Sequence, residues 1–367
     1  MEPSVYQALK NKITVQLSGL FAKVACPIEA PGKVDYGDID FLVEGSKNSD
    51  LLGSILAAIS AERHVSRGVH TFAVPLPSKG DPIYAQVDIN VCEPGTLEWL
   101  AFLQSYGDLW QILGVTIRGY GLTATDKGLH VRIQESEAKN RKASMIFLSM
   151  QPKDVMDFLG LDSLRYERGF ESEKQLFDWI LGCKLFDKKA FQDRSEKSND
   201  RRRLKTRGMF RRFIDEYVPH VPDRKKDAFL DRRCKVLHEA LEFFDKQKEY
   251  NHRFAVIQKE MDEEIAWRYI TGVIQSEAQL SNDKLNLVVR AFKRWVDFKE
   301  DRPLLRERPE LDPKLQPQFA AMLIQEKDAV RVDARDWIVE NWSEAKSRER
   351  ERVKAEKEAR QQNKGRN

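Results

Sequence analysis

Cysteine is scarce in this chain, and the four present, Cys26, Cys92, Cys183 and Cys234, stand apart. With no CxxC pair and no close histidine they exclude a disulfide framework and a zinc site, and read as reduced thiols. The six histidines are just as scattered, so neither a metal-ligand spacing nor a hydrolase triad is supported. Glycine-rich loops of the P-loop or dinucleotide type are missing. No apolar run approaches the roughly 20 residues that cross a bilayer, and Met1-Glu2-Pro3-Ser4 lacks the basic stretch and apolar core of a secretory leader. An intracellular protein with no membrane partner is expected, with cytoplasm or nucleus left open.

Of the 367 residues, 41% are hydrophobic, enough for two or three domains with real cores. The net charge of +4 is unevenly spread. Residues 1–150 hold fourteen bases and sixteen acids, net −2; Lys188 to Arg212 hold eleven bases and three acids, net +8; Lys346 to Arg366 hold nine bases and four acids, net +5. Cationic charge therefore lies outside the first 150 residues, as a separate polyanion-binding surface requires.

Hydrophobic spacing divides the chain into a mixed α/β region over 1–150, a helical region over 151–345 and a basic charged tail over 346–367. The first region opens with a helix carrying Tyr6, Leu9, Ile13, Leu17 and Leu20. A strand starting at Asp38 follows, then a helix from about Asp50 to Glu62 capped by Asn48 or Ser49. His70 to Leu76 and Ile83 to Cys92 flank a turn-rich loop and predict an antiparallel hairpin. Helices over Leu97 to Tyr106 and from Asp108 to Arg118, then strands at Leu129 to Ile133 and Met145 to Leu148, complete it. Beyond residue 150 every periodic segment favours helix, including Asn282 to Phe298, Pro313 to Gln325 and Val330 to Trp342, with Ser172 and Gln175 as a capping box. The seven tryptophans read as core anchors.

The chemistry-bearing stretch is Gly37-Asp38-Ile39-Asp40-Phe41-Leu42-Val43. Side chains two apart in a strand share a face, so Asp38 and Asp40 point the same way. The strand Gln86-Val87-Asp88-Ile89-Asn90-Val91 offers a third carboxylate, Asp88, once the two strands pair. Three such carboxylates repel unless a cation sits among them, and oxygen-only ligation suits Mg²⁺ or Mn²⁺. Two such ions can activate a hydroxyl and stabilise a leaving pyrophosphate, which points to phosphoryl or nucleotidyl transfer.

Gly32, Gly37, the Asp38/Asp40 pair and Asp88 together resemble the nucleotidyltransferase superfamily typified by DNA polymerase beta, over about 110 residues from Val24 to Ile133. The resemblance implies a catalytic palm with a mixed sheet followed by an all-α region, with Asp38, Asp40 and Asp88 as metal ligands and catalytic groups. It implies Lys33, Gly37 and Arg118 at the nucleotide, an NTP as substrate and a hydroxyl acceptor such as a nucleic-acid 3′ end. The chain departs from the family pattern where a Gly-Ser pair should hold the triphosphate: Pro27 and Ile28 stand there. Proline has no N–H and isoleucine no hydroxyl, so the phosphate grip is lost or built differently. Ala30 and Pro31 replace an arginine pair, and Lys33 is the nearest cation.

Arg201, Arg202, Arg203, Lys205 and Arg207 are the candidate nucleic-acid contacts, with Phe191, Phe210 and Phe213 near enough in sequence to stack on bases. The alternative for that segment is a charged surface loop whose phenylalanines serve the core. Three readings of function stay open at this point: nucleotidyl transfer, a catalytically degenerate relative acting in nucleic-acid binding or assembly, and AMP transfer to a protein hydroxyl.

Overall fold

The computed structural model describes residues 1–47, 50–66, 68–78, 80–191, 205–222, 229–280, 282–299, 302–309, 324–326, 329–330 and 332–364. The chain is mixed α/β, with a five-stranded mixed sheet near its start and a largely helical remainder. Two compact units divide it, Met1–Tyr250 and Asn251–Asn367. The composition change expected near residue 150 falls inside the first of these. Among the described residues no helix is long and apolar enough to cross a membrane.

The first unit opens with α1 (Pro3–Leu20), β1 (Phe21–Ala25), β2 (Asp38–Ser46), α2 (Leu51–Ile59), β3 (Arg63–Ser66), β4 (His70–Leu76) and β5 (Ile83–Val91). The strands lie in the order β1-β2-β5-β4-β3. β2 and β5 are parallel while every other neighbouring pair is antiparallel. Alternation sorts β2 cleanly: Ile39, Phe41 and Val43 enter the core with Val87 and Ile89 of β5, against Ile13, Leu17, Ile55 and Ile59 of α1 and α2. The opposite face of β2 carries Asp38, Asp40, Leu42 and Glu44.

That second face is only half covered. Leu42 packs with Cys92 and Leu97 under α3 (Leu97–Gln104). Glu44 anchors the helix by accepting the Leu97 N–H at 3.3 Å, and backbone N–H groups at Gly95 and Leu97 pull its carboxyl below the usual range. Asp38 and Asp40 lie at the other end of β2, beyond this cover. After α3 come α4 (Leu109–Arg118) and a three-stranded antiparallel sheet of β6 (Leu122–Thr125), β7 (Gly128–Arg132) and β8 (Met145–Ser149), with the short α5 (Gln134–Glu137) before β8. After α6 (Pro152–Leu159), a chain of aromatic contacts through Trp99, Phe102, Tyr106, Trp110, Tyr166, Phe170 and Trp179 fastens α7 (Ser163–Arg168) and α8 (Glu173–Leu181) onto α3 and α4. The unit closes with α9 (Gly208–Arg212) and α10 (Phe229–Phe243).

The second unit packs α11 (Gln247–Ala278), α12 (Asn282–Trp295) and α13 (Val332–Lys364) around Ile270, Ile274, Val288, Phe292 and Ile338. The helical character expected beyond residue 150 holds for most of the unit, with two short strand pairs as local departures. The helix expected to reach Phe298 stops at Trp295, and Val296–Lys299 pairs with Arg302–Leu305 as a hairpin, β9 and β10. Val296 joins the core and Phe298, two residues on and so on the same face, packs partly buried against it, while Lys299 is exposed. Ile324–Glu326 and Ala329–Val330 form a further short pair where helix was expected. In the first unit β3 and β6 were not anticipated, and α2 stops at Ile59, before Glu62, because Ser60 turns left-handed at φ 53°. Its cap is Asp50, whose carboxylate accepts the Gly53 N–H.

Ile39 is fully buried between the two aspartates. Ile39→Ala is expected to cost about 3 kcal/mol in chemical denaturation, whereas truncating the more exposed Leu52 should cost under about 0.5 kcal/mol.

Candidate active site

Parallel pairing fixes the geometry of the carboxylates. Asp38 of β2 stands opposite Gln86 of β5, and Asp40 stands opposite Asp88. Gln86 donates through its side-chain amide to Asp88 Oδ2 at 3.0 Å, while Asp88 Oδ1 is buried and has no hydrogen-bond partner. Asp40 reaches solvent, yet crowding by protein strips bulk water from its carboxyl and raises its pKa to about 6; repulsion from Asp38, Asp88 and Glu29 adds to the rise, and Lys33 opposes it. Four acids and one lysine thus share an electrostatic neighbourhood.

Three aspartates, one with an unpartnered oxygen, are the donor set a hard divalent cation takes. As they stand, no three His, Cys, Asp or Glu side chains among the described residues form a group that could hold an ion. Like charges hold the carboxylates apart, and a cation between them removes that repulsion.

The loop from Cys26 to Gly37 forms the near wall. Pro27 is buried, and the Ile28 N–H donates to Ser105 Oγ at 3.0 Å. The Ile28 carbonyl accepts the Tyr106 N–H at 2.6 Å, at a corner where Tyr106 and Gly107 are left-handed, φ 59° and 62°. A Cβ at Gly107 would sit 3.2 Å from the Ala30 Cβ, so glycine permits this approach. Both backbone positions where a Gly-Ser pair would grip phosphate are therefore committed: one has no N–H, and the other is bonded to Ser105.

Lys33 is placed beside Asp40 but is held. Its ammonium lies 2.6 Å from Glu29 and 4.8 Å from the centre of the Tyr36 ring, which stacks on Tyr6 at 3.9 Å. Tyr6 donates its hydroxyl to Glu29 at 2.5 Å, which, with burial, pushes its pKa upward. Gly37 is exposed, and a Cβ there would meet nothing within 4 Å, so open space lies beside Asp38. Arg118 lies exposed in the last turn of α4, a helix that packs on β6 and α9, and its carbonyl accepts from Arg132 at 2.6 Å.

The basic segment reads differently in three dimensions. Arg201, Arg202 and Arg203 lie outside the described residues. Lys205 is exposed. Arg207 pairs with Asp108 at 3.1 Å, and the same carboxylate accepts the Phe210 N–H at 3.1 Å. Asp108 was expected to cap α4; it ties α9 down instead. Phe191, Phe210 and Phe213 are buried and pack within the core, which corrects the stacking role expected for them. Glu29, Ser105 and Tyr106 were missed, since nothing in their local sequence announces a neighbour beside the aspartates.

The sequence matches no protein-family model and no curated protein. Among solved structures, polymerase beta of Leishmania infantum in a ternary P/T complex is similar at 16% identity and a TM-score of 0.31, over 42% of this chain and 70% of that one. So distant a likeness bears on no residue's role.

The raised pKa of Asp40 predicts a pH signature in buffer free of divalent ions. The folded protein holds the Asp40 proton more tightly than the unfolded chain, so stability is highest below pH ~4 and falls as pH rises through ~6. After discounting for solvent screening, the loss is about 1 kcal/mol. Asp40→Asn should therefore melt about 2–4 °C above wild type at pH 7.5, and the difference should vanish near pH 4.

Proposed function

We propose that the protein transfers a nucleoside monophosphate from an NTP to a hydroxyl acceptor at the Asp38, Asp40 and Asp88 carboxylates. The observation that carries the proposal is the register that sets Asp40 opposite Asp88 with Asp38 on the same face. Asp38 and Asp40 would hold Mg²⁺ or Mn²⁺, and Asp88 would complete the donor set. Bound there, divalent cations supply charge to the leaving pyrophosphate and acidify the attacking hydroxyl. The unpartnered Oδ1 of Asp88 is the acceptor for the hydroxyl proton. Lys33 supplies positive charge to the phosphoryl oxygens once it exchanges Glu29 for substrate. The open space beside Gly37 admits the nucleotide, and the acceptor is a nucleic-acid 3′ end.

A second reading keeps the fold without the chemistry: a nucleic-acid-binding or assembly protein built on a degenerate site. The Ile28 to Ser105 bond and Pro27 favour it, because they withdraw the backbone grip on a triphosphate.

Two measurements decide. With labelled NTPs, Mg²⁺ or Mn²⁺ and a panel of RNA and DNA primers, wild type should incorporate label, and Asp38→Asn or Asp40→Asn should lower the rate at least about a hundredfold. No incorporation by folded wild type under any condition removes the transfer reading. Independently of turnover, millimolar Mg²⁺ should raise the melting temperature of wild type and leave the Asp38→Asn/Asp40→Asn double variant unmoved.

A further inference from the structure

The three-stranded sheet of the first unit has one face in the core and one of different character. Leu122, Leu129, Val131, Ile146 and Leu148 are buried on the first. On the other, His130 stands opposite Phe147 and Arg132 opposite Met145. Phe147 is 38% exposed there. Its ring lies down against the strand because position 128 is glycine: a Cβ would fall 2.6 Å from Phe147 Cε2 and 2.7 Å from the Ser149 carbonyl, at φ +108°. His130 meets the ring edge-on at 5.7 Å, and the Lys246 ammonium stands 5.5 Å from its centre. Lys246 is otherwise tethered by an ion pair with Glu249 at 3.4 Å, so it can swing aside.

Besides Lys246 at the ring, further cations stand on the same sheet face and on the loop before β8. Arg132 donates to the Arg118 and Gly121 carbonyls and pairs with Glu137 at 2.7 Å, and Arg233 takes the other oxygen of the same carboxylate. Burial depresses the Arg132 pKa, and the charges of Arg233 and Arg141 depress it further against the pull of Glu137. Two guanidiniums therefore share one carboxylate, and a third, Arg141, lies close enough to bear on Arg132. Arg141 and Lys142 are exposed on the loop leading into β8, while Glu135 beside Glu137, Glu249 against Lys246 and Asp126 near His130 are further acids of this neighbourhood. Residues distant in sequence make this patch, inside a region whose overall balance is acidic.

We propose that this face binds single-stranded nucleic acid, with a base stacked on Phe147 and the flanking phosphates held by Arg141, Lys142 and Lys246. An exposed aromatic ring among cations has value for an unstacked base carried on a phosphate chain. A duplex hides its base faces, and a purely electrostatic partner has no use for the ring. The inference does not depend on the proposed transfer reaction, because none of these residues belongs to the carboxylate site.

The test is anisotropy of labelled single-stranded RNA and DNA with the full chain between 50 and 200 mM salt. Phe147→Ala should weaken binding about tenfold with an unchanged salt slope, and Phe147→Tyr should bind as wild type. Arg141→Ala/Lys142→Ala should weaken it about tenfold at low salt and reduce the salt slope by about 1.4. Lys153→Ala/Lys174→Ala, exposed on α6 and α8, is the control for general charge loss. Asp40→Asn should bind normally, so loss of transfer and loss of binding are separable. Wild-type affinity in both the Phe147→Ala and Arg141→Ala/Lys142→Ala proteins, or no binding by wild type at 50 mM salt, overturns the proposal.

Discussion

The parallel pairing of β2 on β5 is the constraint on which the rest of the first unit depends. A register shifted by one residue would turn Asp88 into the core and Val87 toward Asp40. The register is held from the apolar side, where Ile39, Phe41, Val43, Val87 and Ile89 interlock with α1 and α2. Burial of those five side chains outweighs the cost of setting carboxylates side by side, since each contributes about 1.5–3 kcal/mol. The raised pKa of Asp40 reflects its burial first and repulsion from Asp38, Asp88 and Glu29 second. A core that holds like charges together against their repulsion is the physical content of the candidate site.

The loop opposite the aspartates shows the same logic with a different outcome. Pro27 is buried, the Ile28 N–H and carbonyl are bonded to Ser105 and Tyr106, and Lys33 is held by Glu29 under the stacked Tyr6 and Tyr36 rings. A loop so tied has little backbone left to offer a phosphate. Whatever charge complements a nucleotide there must come from a side chain, and Lys33 must first leave Glu29. Under the proposed transfer reading, binding a phosphate would open the Lys33–Glu29 pair, and that would lower affinity at this site.

Much of this was legible because alternation is a local signal. Ile39, Phe41 and Val43 against Asp38 and Asp40 announce a two-faced strand, and Gln86, Asp88 and Asn90 announce its partner. What stayed illegible was carried by single long-range bonds. Asp108 precedes a helix and reads as its cap, but its carboxylate is taken by Arg207 and the Phe210 N–H, a hundred residues on. The β9 and β10 hairpin continues a helical pattern without a break in composition, and only the tertiary environment of Val296 decides the change. β3, an edge strand of four residues, is too short for periodicity to register.

The placement of positive charge completes the argument. Net charge along the chain directs attention to the segment from Lys188 to Arg212, yet three of its six described cations are bonded to their own chain. Lys188 donates to the carbonyls of Pro219 and Val221, Arg207 holds Asp108, and Arg212 holds Glu173. Its phenylalanines are inside. The β7 and β8 face, in a stretch of near-balanced charge, has Arg132 and Arg233 bound to Glu137 but carries exposed Arg141 and Lys142 on the loop leading to an exposed ring. Counting charges along a sequence finds blocks, whereas folding makes patches by convergence, and a cation already bonded to its own chain contributes little to a partner. What distinguishes the aromatic sheet face from the described ends of the basic block is the exposed ring beside its cations.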